Sequence, residues 1–339
     1  MAFRFTTLGA VTPTTARVAF GTDLAETVGI FYALGAGQDP LAGTAGPEVP
    51  VDATTDFTGK ADLVNLLPGR TYSVSFIGST SGLSHEFPPY MTLTMPPAAG
   101  TPVNFSFAFG SCLKGTTTAG GLGLTPYTAP AIAGTVFTTI KNKLPQFLLH
   151  LGDLIYADQA GATSLAQMRS VHRDTLNRAG ANMEPYGLLR DNVPGYYMID
   201  DHDTGTNDFD LGESNATYLN AKQAAQEYQM RGNPDPVTAG KLYFGFSYGD
   251  VGFFVCDGRS FRSSNTSPDG RNKTWLGEIQ KKKLKAWLLN NAASYRFKFV
   301  AVPEPINGYT AHITQSDAFG AGFVSELNEL LDFIMRQRI

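Results

Sequence analysis

The apolar pattern of this 339-residue chain changes period once, at a segment that can be neither strand nor helix. Before it, short segments such as Ala16-Arg17-Val18-Ala19-Phe20, Val28-Gly29-Ile30-Phe31-Tyr32 and Tyr72-Ser73-Val74-Ser75-Phe76 alternate between turn residues. Side chains of a strand point to opposite faces in turn, so this spacing predicts an antiparallel β-sandwich over residues 1–98. Pro96-Pro97-Ala98-Ala99-Gly100-Thr101-Pro102 then reads as a linker, because proline removes a backbone donor and fixes φ.

Beyond it, from residue 103 to 339, apolar strands alternate with helical segments. Strands are expected at Phe105–Phe109, Phe147–Leu151, Tyr196–Ile199, Gly252–Cys256 and Phe297–Val302. Helices are expected near Ala131–Lys143, Ser164–Arg178, Asn215–Tyr228, Leu276–Leu289 and Val324–Met335. Such alternation predicts a layered α/β unit, whose ligands gather at the carboxyl ends of its strands. Four polar motifs fall at those ends: Gly110-Ser111-Cys112, Gly152-Asp153-Leu154-Ile155-Tyr156, Asp200-Asp201-His202-Asp203 and Asp257-Gly258-Arg259.

Residues 200–210, Asp-Asp-His-Asp-Thr-Gly-Thr-Asn-Asp-Phe-Asp, hold the densest negative charge in the chain. A run of aspartates is often a solvated turn. Here the density is self-repelling unless something positive sits within it, and a bound cation meets that need.

Composition narrows the function classes. Charged residues make up 17%, the net charge is −4, and Lys281-Lys282-Lys283 is the only basic run, so no nucleic-acid surface is expected. There is no run of 18 apolar residues and no hydrophobic signal region after Met1, which gives neither a membrane span nor a visible address. Two cysteines cannot make a disulfide framework. Cys256 lies in an apolar run and reads as core, whereas Cys112 follows a strand. A thiol enzyme built on Cys112 lacks a CxxC or a neighbouring histidine. His85, His172 and His312 have no acidic or cysteine neighbours at ligand spacing and read as surface or structural histidines; His150 reads as a satisfied core imidazole.

Taken in order, Phe107-Ala108-Phe109-Gly110-Ser111-Cys112, His150-Leu151-Gly152-Asp153-Leu154-Ile155-Tyr156-Ala157-Asp158, Asp200-Asp201-His202-Asp203 with Thr206-Asn207-Asp208, Asp257-Gly258-Arg259-Ser260-Phe261-Arg262, and Leu276-Gly277 through Gln280 to Trp287-Leu288 form one pattern. It resembles the PhoD-like alkaline phosphatase/phosphodiesterase family, a branch of the calcineurin-like metallophosphoesterases. Val11–Arg17 and Leu66–Tyr72 in turn resemble fibronectin type III-like modules, where no titratable cluster occurs and a scaffold role is expected.

The resemblance implies an N-terminal sandwich followed by an αββα-layered metallophosphoesterase unit that hydrolyses phosphate mono- or diesters by two-metal-activated water. It implies that Asp153 bridges two metals and that Cys112 and Tyr156 hold Fe(III) beside Ca(II), with Zn, Mn or Mg as alternatives. Thiolate and phenolate suit iron, while carboxylate and amide oxygens suit calcium. Either Asp201 or Asn207 would serve the second metal. His202 would protonate the leaving alkoxide or stabilise charge on the phosphorus, and Arg259 or Arg262 would bind non-bridging oxygens, with a salt bridge to a nearby aspartate as the equal alternative for each arginine. Extracytoplasmic location and a phosphate-ester partner follow from the same resemblance; no protein partner does.

Members of the family continue into a further strand with a GDxH- or ADxH-like motif. Asp317-Ala318-Phe319 and the helix from Glu326 match its approach, and the sequence ends at Ile339. The chain is therefore expected to be truncated or degenerate, and a non-catalytic phosphate- or cell-wall-binding module is the alternative function.

Overall fold

The structure, a computed structural model, describes residues 3–80, 90–114, 131–177, 183–290, 295–306 and 317–339. Seven strands come first: β1 (Phe5–Gly9), β2 (Ala16–Gly21), β3 (Glu26–Leu34), β4 (Thr44–Val51), β5 (Thr58–Leu63), β6 (Thr71–Gly78) and β7 (Met91–Thr94). They form two antiparallel sheets, β1-β2-β5 and β4-β3-β6-β7. Val18 and Phe20 of one sheet and Val28, Ile30, Val74 and Phe76 of the other are buried in one cluster, so the alternating pattern does produce a sandwich. Tyr72 fixes the β5–β6 connection, its hydroxyl accepting the Leu67 N–H at 2.9 Å.

The remaining chain runs β8 (Ala108–Gly110), α1 (Ala131–Asn142), β9 (Leu148–His150), α2 (Leu165–Leu176), α3 (Glu184–Arg190), β10 (Gly195–Tyr197), α4 (Asp201–Thr204), α5 (Ala216–Glu227), β11 (Phe244–Tyr248), β12 (Val251–Val255), α6 (Glu278–Asn290), β13 (Phe297–Ala301), α7 (Phe319–Gly322) and α8 (Val324–Gln337). Strands β10-β9-β8 form a parallel sheet; in β11-β12-β13 the second pair is parallel and the first antiparallel.

Alternation along single strands builds four layers. Leu149, Tyr196, Phe253 and Val255 face one another between the two sheets. The Phe253 ring stacks on Phe246 at 4.7 Å and on Phe299 at 5.1 Å, and meets Phe147 edge-on. On the outer face of the first sheet, Leu148 and Tyr197 pack against Phe137 of α1, Leu189 of α3 and Tyr218 of α5. On that of the second, Phe254 and Cys256 pack against Leu284 and Leu288 of α6 and Leu327 and Leu330 of α8.

Local signals account for the helix starts. Ser164 caps α2 with Gln167 completing a capping box, and the Asn215 side chain accepts the N–H groups of Thr217 and Tyr218 at the start of α5. Strand β8 begins at Ala108 rather than Phe105: the rings of Phe105 and Phe107 pack on Phe147, so this segment fills the space between the sheets.

The sandwich is bound tightly to the α/β layers. Phe5 is buried within the α/β core beside Tyr228. Arg173 grips both oxygens of Asp56 at 2.9 and 2.8 Å, and the Tyr228 hydroxyl donates to the same carboxylate. Cys256 is buried as expected. Histidines 85 and 312 lie outside the described residues. His172 is fully buried against Tyr228, with neither ring nitrogen hydrogen-bonded, and His150 is buried with Nδ1 unpaired, so neither imidazole is fully satisfied.

Candidate metal centre

Parallel strands β8, β9 and β10 end together, and each end carries part of the site. Cys112 follows β8, Asp153 follows β9, and the buried Asp200 follows β10 and caps α4. The close approach of β9 and β10 depends on Gly152: at φ +96° a Cβ there would lie 2.6 Å from the Asp200 Cβ. The glycine of the Gly-Asp pair thus serves backbone packing against Asp200.

Cys112 and Asp153 both adopt left-handed backbone, at φ +63° and +56°, a conformation costly for residues with side chains. The strain is held by the surrounding bonds. The Cys112 N–H donates to Gly152 O, the Leu113 N–H to Asp153 O, and the N–H groups of Asp153 and Ile155 both donate to Asp203, at 2.6 and 3.0 Å. The Cys112 Sγ then sits 3.4 Å from Asp153 Oδ2.

Asp153 is the centre of the arrangement. It is buried, and its Oδ1 has no hydrogen-bond partner among the described residues. Burial first, and then the charges of Asp203, Asp200, Asp201 and Cys112, push its pKa up to about 11. Ligand atoms of Asp153, Asp201 and His202 lie within 4.8 Å of one another, and those of Asp201, Asp208 and Asp317 form a second such group that shares Asp201. An orphaned carboxylate oxygen at the meeting point of so many acids fits a cation, which would relieve both the lost hydrogen bond and the repulsion. Tyr156 is buried, and burial followed by Asp153 and Cys112 raises its pKa, so its phenolate form needs a positive neighbour as well.

His202 stacks on Tyr156 with centroids 4.3 Å apart, and its Nδ1 lies 2.9 Å from Asp158 Oδ2. Asn207 is exposed in the turn after α4, while Asp208 beside it joins the second acidic group.

Both arginines occupy salt bridges. Arg259 is 1% exposed, with Nε 2.6 Å from Asp200, Nη1 2.9 Å from Phe209 O, and Nη2 against Glu304. The side chain of Arg262 is buried between Glu304 at 2.6 Å and the Asn265 Oδ1 at 2.8 Å, with its guanidinium over the Phe323 ring. Asp257 accepts the N–H groups of Arg259 and Ser260 and so shapes the turn that aims Arg259.

Sequence reasoning did not single out Asp158, Asp203, Asp317 or Glu304 as working residues. Asp158 stood within the motif around Asp153, and Glu304 follows β13 as the other acids follow their strands, so both carried a signal. Asp317 stood in the approach to the family's last motif, but only the fold brings it to Asp201.

Helices outside two stacked sheets, with acids and a histidine at the strand ends, define a metallophosphoesterase-like architecture. Over residues 126–339 the sequence matches the PhoD-like phosphatase family, and the chain belongs to it. Among solved structures it is similar to PhoD, at 18% identity and a TM-score of 0.76, over 100% of this chain and 70% of that one. It is also similar to a purple acid phosphatase from yellow lupin (Lupinus luteus) seeds, at 16% identity and a TM-score of 0.56, over 88% of this chain and 51% of that one. No curated protein matches the sequence.

Proposed function

We propose that this chain hydrolyses phosphate esters at the site around Asp153, with Fe(III) and Ca(II) as its metals. The observation that carries the reading is the buried, unpartnered Oδ1 of Asp153 at the point where Asp201 and His202 converge. Asp153, Cys112 and Tyr156 would hold the iron, which accepts a hard phenolate and carboxylate together with a soft thiolate, a set that a purely oxygen-seeking cation such as calcium would not favour. Asp201, with Asp208, Asp317 or the neighbouring Asn207, would supply oxygen ligands to calcium. When bound, the metals would clamp phosphoryl oxygens and lower the pKa of water for in-line attack.

The chain's own residues supply the rest. Asp158, 2.9 Å from Nδ1 without an aligned hydrogen bond, would offset the charge of a protonated His202, and the stacked Tyr156 limits the tilt of the ring, so the imidazole is placed to give a proton to the leaving alkoxide. Arg259 and Arg262 support this reading as scaffold: they neutralise Asp200 and Glu304, which keeps the Asp200 end of α4 in place.

Metal analysis and turnover together test the proposal. Asp153→Asn should lose bound metal and hydrolysis of mono- and diester substrates alike, and wild-type protein should show a phenolate-to-iron band in the visible. Full turnover in Asp153→Asn would sink the reading; colourless protein with stoichiometric zinc would remove the iron assignment.

A further inference from the structure

Away from the strand ends, a small cleft opens where the sandwich meets the α/β layers. It has a volume of about 290 Å³ and is lined by Lys60 of β5, Gln226 of α5, and Arg231, Asn233, Asp235 and Lys241 from the segment that follows. Its charge is one-sided although the whole chain carries −4. The carboxylate in the lining, Asp235, is taken by Arg17 at 2.9 Å, and Arg17 is held in turn by both oxygens of Asp62. Lys241 shares a single carboxylate, Glu213, with Lys222.

Among the described residues, no carboxylate pairs with Lys60 or Arg231. Arg231 donates from Nη2 to the Thr58 carbonyl at 3.2 Å, while its Nε is buried with no partner. Burial, and then the charges of Arg17 and Arg231, lower the Lys60 pKa against the smaller pull of Asp235 and Asp62; burial likewise lowers that of Arg231 against the pull of Glu227. Two unpaired cations facing one cleft repel each other and leave a buried donor unused. An oxyanion would relieve both, because a guanidinium and an ammonium together match its several acceptor oxygens, and the exposed Gln226 amide adds a neutral donor.

We propose that this cleft is a binding site for a phosphate-type oxyanion, either inorganic phosphate or the phosphoryl group of a larger molecule. It is separate from the candidate metal centre, and it stands whether or not that centre hydrolyses phosphate esters. The small volume suits a single anionic group rather than a drug-sized ligand.

Equilibrium dialysis of the metal-loaded protein with radiolabelled inorganic phosphate tests the proposal through a difference. Wild type should bind one phosphate more per chain than Lys60→Gln/Arg231→Gln, whatever the metal centre binds in both. The double variant should also lose the rise in melting temperature that phosphate gives wild type. Lys60→Glu, a change at an exposed position, should abolish the same phosphate and guards against misfolding of the double variant. Equal stoichiometry in wild type and Lys60→Glu would overturn the site. Dimethyl phosphate distinguishes the two sources: competition by the diester points to a phosphoryl group of a larger molecule, and its failure to compete points to free phosphate. Loss of ester hydrolysis with the phosphate difference intact would sink the proposed function and leave this site standing.

Discussion

The carboxylate of Asp203 closes on the backbone of Asp153, accepting its N–H at 2.6 Å and, through the other oxygen, that of Ile155 at 3.0 Å. A third N–H, from Asp200, reaches the first oxygen at 2.8 Å. One buried side chain thereby sets the conformation of two strand ends. Burial pushes its pKa up to about 7 while the three N–H donors pull the other way.

Replacing Asp203 with asparagine presents an NH2 group to one or more of those donors. We expect a loss of about 1–3 kcal/mol in unfolding free energy, the cost of a buried donor left without its acceptor. Metal affinity should drop about 10- to 100-fold, as for other groups that orient a ligand without binding metal. Denaturant unfolding and metal titration check both; an unchanged metal affinity would show that Asp153 does not rely on Asp203.

Asp158 holds a different relation to the site, 2.9 Å from Nδ1 of His202. If it orients that ring, Asp158→Asn should lower kcat by about 100-fold, the low end of what general acid catalysis contributes, and leave metal content unchanged. A substrate with a leaving group that needs no protonation should be hydrolysed nearly as well by the variant as by wild type. Equal losses on both substrates would assign Asp158 to folding instead.

Arg259 separates scaffold from substrate contact. Its guanidinium is buried between Asp200 and Glu304, so Arg259→Leu would strand two carboxylates. A destabilisation of about 3–5 kcal/mol is expected. A residue that only touched phosphate would instead raise KM with little change in melting temperature. Thermal unfolding beside a kcat and KM comparison decides between them.

Much of this architecture was legible because its signals are local. Alternation in Val28–Tyr32 and Tyr72–Phe76, the 3.6-residue spacing of Leu284, Trp287 and Leu288, and the caps Ser164 and Asn215 each determine an element within a few residues. Helix α3, seven residues with Pro185 and Gly187 inside, lacks such a signal and exists by packing Tyr186 and Leu189 into the core. The same limit applied at the site. Cys112, Asp153 and Asp200 could be placed from strand ends, but the choice between phosphate and salt bridge for Arg259 rests on Glu304, 45 positions away, and the pairing of Asp201 with Asp317 spans the fold. Interactions of that range leave no periodicity to read.

His172 carries the last expectation, which concerns pH. Its ring lies flat on Tyr228, 5.5 Å centroid to centroid and 4° from parallel, with both nitrogens unpaired. The Tyr228 hydroxyl is bound to Asp56, and Arg173 holds the same carboxylate. Burial lowers the His172 pKa from 6.5 to about 3. The folded state therefore binds fewer protons than the unfolded state between those values, and stability falls as pH drops from about 6.5 toward 3. The slope from this one group is at most about 1.4 kcal/mol per pH unit. His172→Phe keeps the stacked ring and removes the titration. Urea unfolding at pH 7, 6, 5 and 4 should show wild type and variant converging on a constant difference above pH 7, with the variant gaining on wild type at each step below it. Parallel curves for the two proteins across the whole range would mean that His172 finds a proton acceptor in the folded state.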